Sequence, residues 1–231
     1  MGARHGRGAK RKQPVTRLTR PIAWIAAAMA MTTTAGPAFA KNDIRFISIA
    51  GLDWVSHNID AATFRNGEPI PIIDDAVAWE KAGKAGLPAM TIYQGPGDRP
   101  GKWGRLYNYP AVIDARGLCP DGWRVPDDGD WAHLERQLGS SSAALRLRAR
   151  SGWLRGTGLD DVGFAALPAG FRTQRGDYFL GGRVAYFWSA SEVSPQETTA
   201  QMLFDYDNKI FRIVYDKSMG MSLRCVRQRT P

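Results

Sequence analysis

Gly117–Trp131 reads GLCPDGWRVPDDGDW. The stretch holds one of the chain's two cysteines, two tryptophans, two prolines and four aspartates. Acids crowded beside a cysteine suggest an active site, but the spacing suggests the start of a helix. Asp127 follows Pro126, and its carboxylate can accept backbone N–H bonds of a first helical turn. Asp130 stands three residues later, where a capping-box acid reaches back. Asp128, in the first turn, complements the helix dipole. Trp131, Leu134 and Leu138 then recur at i, i+3 and i+7, one buried face, and Gly139 sits where a C-terminal glycine belongs. A calcium loop would need ligands at alternating positions and a glutamate about twelve residues in, which DDGDWAHLERQL lacks. Three of the four aspartates are thus explained by helix initiation, with Asp121 in the preceding turn.

Outward from this helix the chain is rich in glycine, proline and short apolar runs. IRFISIAG (44–51) and WVSHNI (54–59) read as strands, FRNGEPIP (64–71) as a turn, and Asp74–Ala82 as a short helix that Gly83 ends. LRLRAR (145–150) alternates like an edge strand or a frayed helix, and its arginines suit a solvated face or an anion. From Gly163 onward, short aromatic runs bounded by Gly, Asp, Asn and Ser suit an antiparallel meander, with Asp207-Asn208 as a hairpin turn. The expected fold is α+β: a small, irregular antiparallel sheet with about two short helices, loop-rich throughout.

The first forty residues read differently. Seven basic residues and no acid fall in 1–40, so 41–231 carry only about +2 of the net charge of +9. A nucleic-acid binder should carry its basic patch on the folded part, so nucleic acid is not an expected partner. The basic segment leads into IAWIAAAMAM (22–31) and then Ala38-Phe39-Ala40, the layout of a secretory signal cleaved between Ala40 and Lys41. The apolar run is too short to span a bilayer, which needs about 20 residues. The expected organisation is a signal peptide over 1–40 and one domain over 41–231, secreted or periplasmic, with no membrane span after cleavage. In an oxidising compartment Cys119 and Cys225 are expected to form a disulfide.

With these residues in hand, a resemblance can be stated. LYNYPAVIDARGLCPDGWRVPDDGDWAHL (106–134) resembles the signature of the Fibrobacter succinogenes major paralogous domain family. WVSHNIDAATFRNGEPIP, GFAALPAGFR (163–172), AYFWSAS (185–191) and GMSLRCV (220–226) are similar to its other motifs, in order. Tyr109, Asp127 and Leu223 depart from the usual tryptophan, serine and valine. The resemblance implies an exported or cell-surface domain. A more distant likeness to C-type-lectin-like and sulfatase-modifying-factor folds is an analogy of fold, which carries no function.

The function expected on this basis is non-catalytic binding of an extracellular polysaccharide or protein, without cofactor or metal. Trp103, Tyr107 and Tyr109 border the loop QGPGDRPGKWG (94–104) and are the candidate binding residues, since aromatic rings stack on sugars and anchor protein partners. The alternative is a secreted hydrolase of polysaccharide or peptide. Only His57 and His133 lie in 41–231 as candidate bases, and neither G-x-S-x-G nor H-E-x-x-H occurs. Asp205–Asn208 (DYDN) offers oxygen ligands for a metal, though it reads first as a hairpin turn.

Overall fold

A computed structural model describes residues 44–95 and 103–229, together with Gly2. The expected signal, its cleavage point at Ala40-Lys41 and residues 96–102 of the glycine-proline loop lie outside the described residues. Strands β1 (Phe46–Ile49) and β2 (Leu52–Val55) form an antiparallel hairpin, and β10 (Val226–Gln228) pairs with the other side of β2. The first and last strands therefore share one sheet, in the order β1-β2-β10. Helix α1 (Ala76–Lys84), the pair β3 (Met90–Ile92) and β4 (Arg105–Tyr107), and the single-turn helix α2 (Tyr109–Val112) follow. Helices α3 (Asp128–Leu138) and α4 (Ala143–Leu147) precede the small ladder of β5 (Phe171–Arg172) and β6 (Tyr178–Phe179). The longest strands, β7 (Val184–Glu192), β8 (Glu197–Phe204) and β9 (Ile210–Asp216), form the meander β7-β8-β9.

The class is α+β with small antiparallel sheets, as the pattern predicts, and among the described residues the strands fall into four of them. Alternation along β7 divides the core. Ala185 and Phe187 face α3, where Trp131 stacks on Phe187 with ring centres 5.6 Å apart and meets Trp54 edge-on at 4.8 Å. Val184, Tyr186 and Trp188 face the opposite way, toward Tyr107, Tyr109, Trp123 and Met221. Cys119 and Cys225 are bonded, with Cα atoms 5.9 Å apart. The bond joins the turn before α3 to the residue before β10, and Arg124 and Val226 exchange backbone hydrogen bonds beside it.

Two local expectations change. Asp75 caps α1, which runs through Gly83 to Lys84. Gly83 is there because the chain after β9 passes so close: a Cβ on it would lie 2.3 Å from Ser218 Cβ. LRLRAR is helical in its first half, because Ala143, Ala144 and Leu147 bury at i, i+1 and i+4. Its Arg148 is neither solvated nor free for an anion. The guanidinium is buried and donates to the carbonyls of Phe204 and Asp207 and to Asn208 Oδ1.

Buried arginines supply much of the order in the loops. Arg224 is wholly buried. Its Nη1 donates to the carbonyls of Val55 (2.9 Å) and Phe164 (2.8 Å), its Nη2 to that of Ala165, and its Nε to Asn58 Oδ1. Its guanidinium lies 4.4 Å from the Phe164 ring centre. Burial pulls its pKa down to about 9, which leaves it charged at neutral pH. Arg172 plays the same part for Ile73, Asp74 and Gly176, whose carbonyls it holds from beneath Trp79. Carbonyls that would otherwise be buried without partners are thereby satisfied in segments with no regular ladder.

Candidate functional site

At the start of α3, Asp127, Asp128 and Asp130 are each bonded within the chain. Asp127 Oδ1 accepts from Asp130 N–H (2.9 Å), and Asp130 Oδ2 accepts from Asp127 N–H (2.8 Å), completing the expected capping box. Asp130 also pairs with Arg124. Asp128 does more than complement the dipole. Its Oδ1 accepts from Ser189 Oγ (2.7 Å), Thr199 Oγ1 (2.7 Å) and Gln201 Nε2 (3.2 Å), and its Oδ2 from Arg212 Nε. One carboxylate thus ties the start of α3 to all three strands of the meander. Burial alone would raise its pKa, but the hydrogen bonds from Ser189, Thr199 and Arg212 outweigh it and hold the carboxyl below its ordinary value. The carboxylate is thus a fastening between helix and sheet.

The three candidate aromatics are packed inside. Trp103, Tyr107 and Tyr109 are 5%, 0% and 1% exposed, so as platforms for a ligand ring they have no open face. Trp103 meets Tyr93 edge-on, Tyr107 Oη donates to Ala61 O, and Tyr109 lies against Trp188. Tyr109 is also one of the residues lining a cleft of about 640 Å³ between α1, α2 and the β7–β8 turn. Most of the cleft's charges are paired within the chain, Lys217 with Glu192, Asp114 with Arg116 and Lys84 with Glu80, while Asp216 accepts only from Ser218. His133 is exposed on α3, and His57 follows β2 half-buried. Burial, then the charges of Arg224 and Arg45, lower the His57 pKa. DYDN forms the β8–β9 turn, with Asp207 Oδ1 accepting from Lys209 N–H.

The aromatic groups that do meet solvent lie at the outer margin of the meander's face away from α3: Val184, Tyr186, Trp188, Ala200 and Met202 on that face are buried in the core, and it opens only toward β9, the end of β8 and the neighbouring β5–β6 pair. Phe211, Ile213 and Tyr215 alternate along β9 and are half-buried, as are Phe204 on β8 and Phe171 on β5. Phe171 brings Phe179, Tyr186 and Tyr215 together, with centroids 5.9, 5.0 and 6.3 Å away. Phe204 brings Tyr206 and Phe211 together at 4.9 and 5.6 Å. Phe179 and Tyr206 are the open members, 49% and 62% exposed. Burial, and the hydroxyl of Tyr215 donating to its own, push the Tyr186 phenol well above its ordinary pKa, so it stays a neutral hydrogen-bonding group. These residues were not among the candidates. The alternation in IFRIVYD and the aromatics of MLFDY were legible, but which side of the strand stayed uncovered was not.

The family model of the Fibrobacter succinogenes major domain matches residues 47–227. The chain belongs to this family. No curated protein and no solved structure matches it. The Fibrobacter succinogenes major domain signature, placed on this fold, is a set of fastenings. The cysteine of LCP is half of the disulfide, and the asparagine of YNY, Asn108, caps α2 while donating to Leu87 O. The tryptophan of GW, Trp123, packs under Arg227 at 4.6 Å, and the arginines of GFR and SLRC are the buried Arg172 and Arg224. Helix α3 in this Fibrobacter succinogenes major domain is where the signature's acids bind the meander, and the open aromatic groups lie at the margin of the meander's far side.

Proposed function

We propose that this protein is an exported, non-catalytic binding domain that holds a carbohydrate polymer at the outer margin of the β7–β8–β9 meander. The observation that carries the reading is the pair of aromatic groups, centred on Phe171 and Phe204, that leave Phe179 on β6 and Tyr206 in the β8–β9 turn open to water at the margin of the meander. Grouped exposed rings mark an interaction surface, and their faces suit the C–H faces of sugar rings. The phenols of Tyr206 and Tyr215 add hydrogen-bonding groups at the rim. An exposed aromatic margin fits a long chain laid across it better than a small solute, which would favour a concave pocket. The long-range disulfide supports an oxidising compartment. Among the described residues, no helix is long and apolar enough to cross a membrane.

The test is retention of the purified protein on a panel of insoluble polysaccharides and peptidoglycan. Binding to at least one polymer is expected, with loss in a Phe179→Ala, Tyr206→Ala double variant. No retention on any polymer overturns the carbohydrate reading, and retention only on protein-coated cell walls replaces it with a protein partner. Export has its own check: N-terminal sequencing of the protein recovered outside the cytoplasm should begin at Lys41.

A further inference from the structure

Strand β9 ends its sheet, and its register fixes which way its backbone points. Lys217 N–H donates to Gln196 O, and Gln196 and Lys217 continue the β8–β9 register. Phe211, Ile213 and Tyr215 therefore bond β8, and Ile210, Arg212, Val214 and Asp216 direct their N–H and C=O groups outward, where the Asp216 carbonyl already accepts from Met219 N–H with one of its two lone pairs. Among the described residues, no group bonds the backbone N–H or C=O of Arg212 or Val214. Both side chains are open, Arg212 at 53% and Val214 at 39%.

Charged residues on an edge strand usually deter pairing. Here Arg212 and Asp216 have opposite signs and stand symmetrically about Val214. We propose that β9 pairs antiparallel with β9 of a second copy of this chain, centred on Val214. In that register Arg212 lies opposite Asp216 of the partner subunit at both ends. Ile213 lies opposite Tyr215 of the partner subunit, and the two Val214 residues face each other. Opposite charges and aromatic–β-branched pairs directly across a ladder are favourable. The side chains have capacity to spare for this. Arg212 uses Nε for Asp128 and Asp216 uses Oδ1 for Ser218, leaving the Nη groups and Oδ2. The outward backbone groups of Arg212 and Val214 gain partners, and the two meanders join into one sheet. The pairing does not rest on the carbohydrate reading. It would set two aromatic margins side by side, and a bound polymer would then gain by multivalency.

A cysteine at the centre of the pairing tests it. Hydrogen-bonded antiparallel partners have Cα atoms about 5.5 Å apart, within disulfide reach. The native cysteines are bonded to each other and do not compete. Mild oxidation of Val214→Cys should give a covalent dimer as the main species, whereas Lys209→Cys, far from its own copy in this register, should stay monomeric. Sedimentation of the unmodified protein should give about twice the monomer mass. Val214→Pro, which removes only an outward N–H, should give the monomer mass with an unchanged circular dichroism spectrum. A monomer at every concentration overturns the pairing, as does equal cross-linking of the two cysteine variants.

Discussion

The start of α3 and the outer margin of the meander have opposite chemistry. At α3, four acids stand in fifteen residues, yet Asp127, Asp128 and Asp130 are each bonded within the chain. At the meander's margin the groups are aromatic, yet Phe179 on β6 and Tyr206 in the β8–β9 turn stand open, and the backbone of Arg212 and Val214 on the adjoining edge has no partner among the described residues. Residue types that look reactive hold the fold, and residue types that look like core are the ones left open to solvent. A site is located by capacity left over after folding, more than by the chemical character of its residues.

The largest expected effect is on the fastening side. Replacing Cys119 and Cys225 with alanine removes a cross-link across 106 residues, which in the chain-entropy model costs about 4–5 kcal/mol. Urea unfolding should show it as a lower midpoint, and a loss under about 1 kcal/mol would separate the signature from stability. Arg224→Leu comes next, at about 3–4 kcal/mol, because the carbonyls of Val55, Phe164 and Ala165 lose their buried donor. The same unfolding measurement checks it, and a near-neutral result would mean those carbonyls find other partners.

Asp128→Asn should cost less, about 1–2 kcal/mol, since the amide keeps one acceptor oxygen. It also has a pH signature. The folded pKa of Asp128 is lowered, so its contribution is fully present above the unfolded carboxyl value of about 3.9 and is lost as pH falls through the folded value. Thermal melts should show a shallower acid arm in the variant; parallel arms would contradict the sign. The smallest effect on stability belongs to Phe179→Ala with Tyr206→Ala, under about 1 kcal/mol for exposed positions.

The fold was legible where local rules decide it. Asp127, Asp130, Leu134, Leu138 and Gly139 specify α3 within a dozen residues, and Asp207-Asn208 specifies its hairpin. Gly83 was misleading because a glycine that ends a helix and one that admits a neighbouring chain look alike in sequence; Ser218 decides between them. Trp103, Tyr107 and Tyr109 drew attention through composition, but their burial depends on Tyr93, Ala61 and Trp188, which only the fold brings near. Asp128 shows the same limit. Its position predicts a dipole partner, while Ser189, Thr199 and Arg212 lie 61, 71 and 84 residues away.

The most direct test of the separation between the two regions is a paired measurement on two variants, with polymer retention and urea midpoint read on the same preparations. The expected result is that Phe179→Ala with Tyr206→Ala abolishes retention and leaves the midpoint within about 1 kcal/mol of the parent, while Asp128→Asn lowers the midpoint and its folded fraction still binds. Retention lost with Asp128→Asn under folding conditions, and kept without the two rings, would return the binding site to the acidic stretch and contradict the separation.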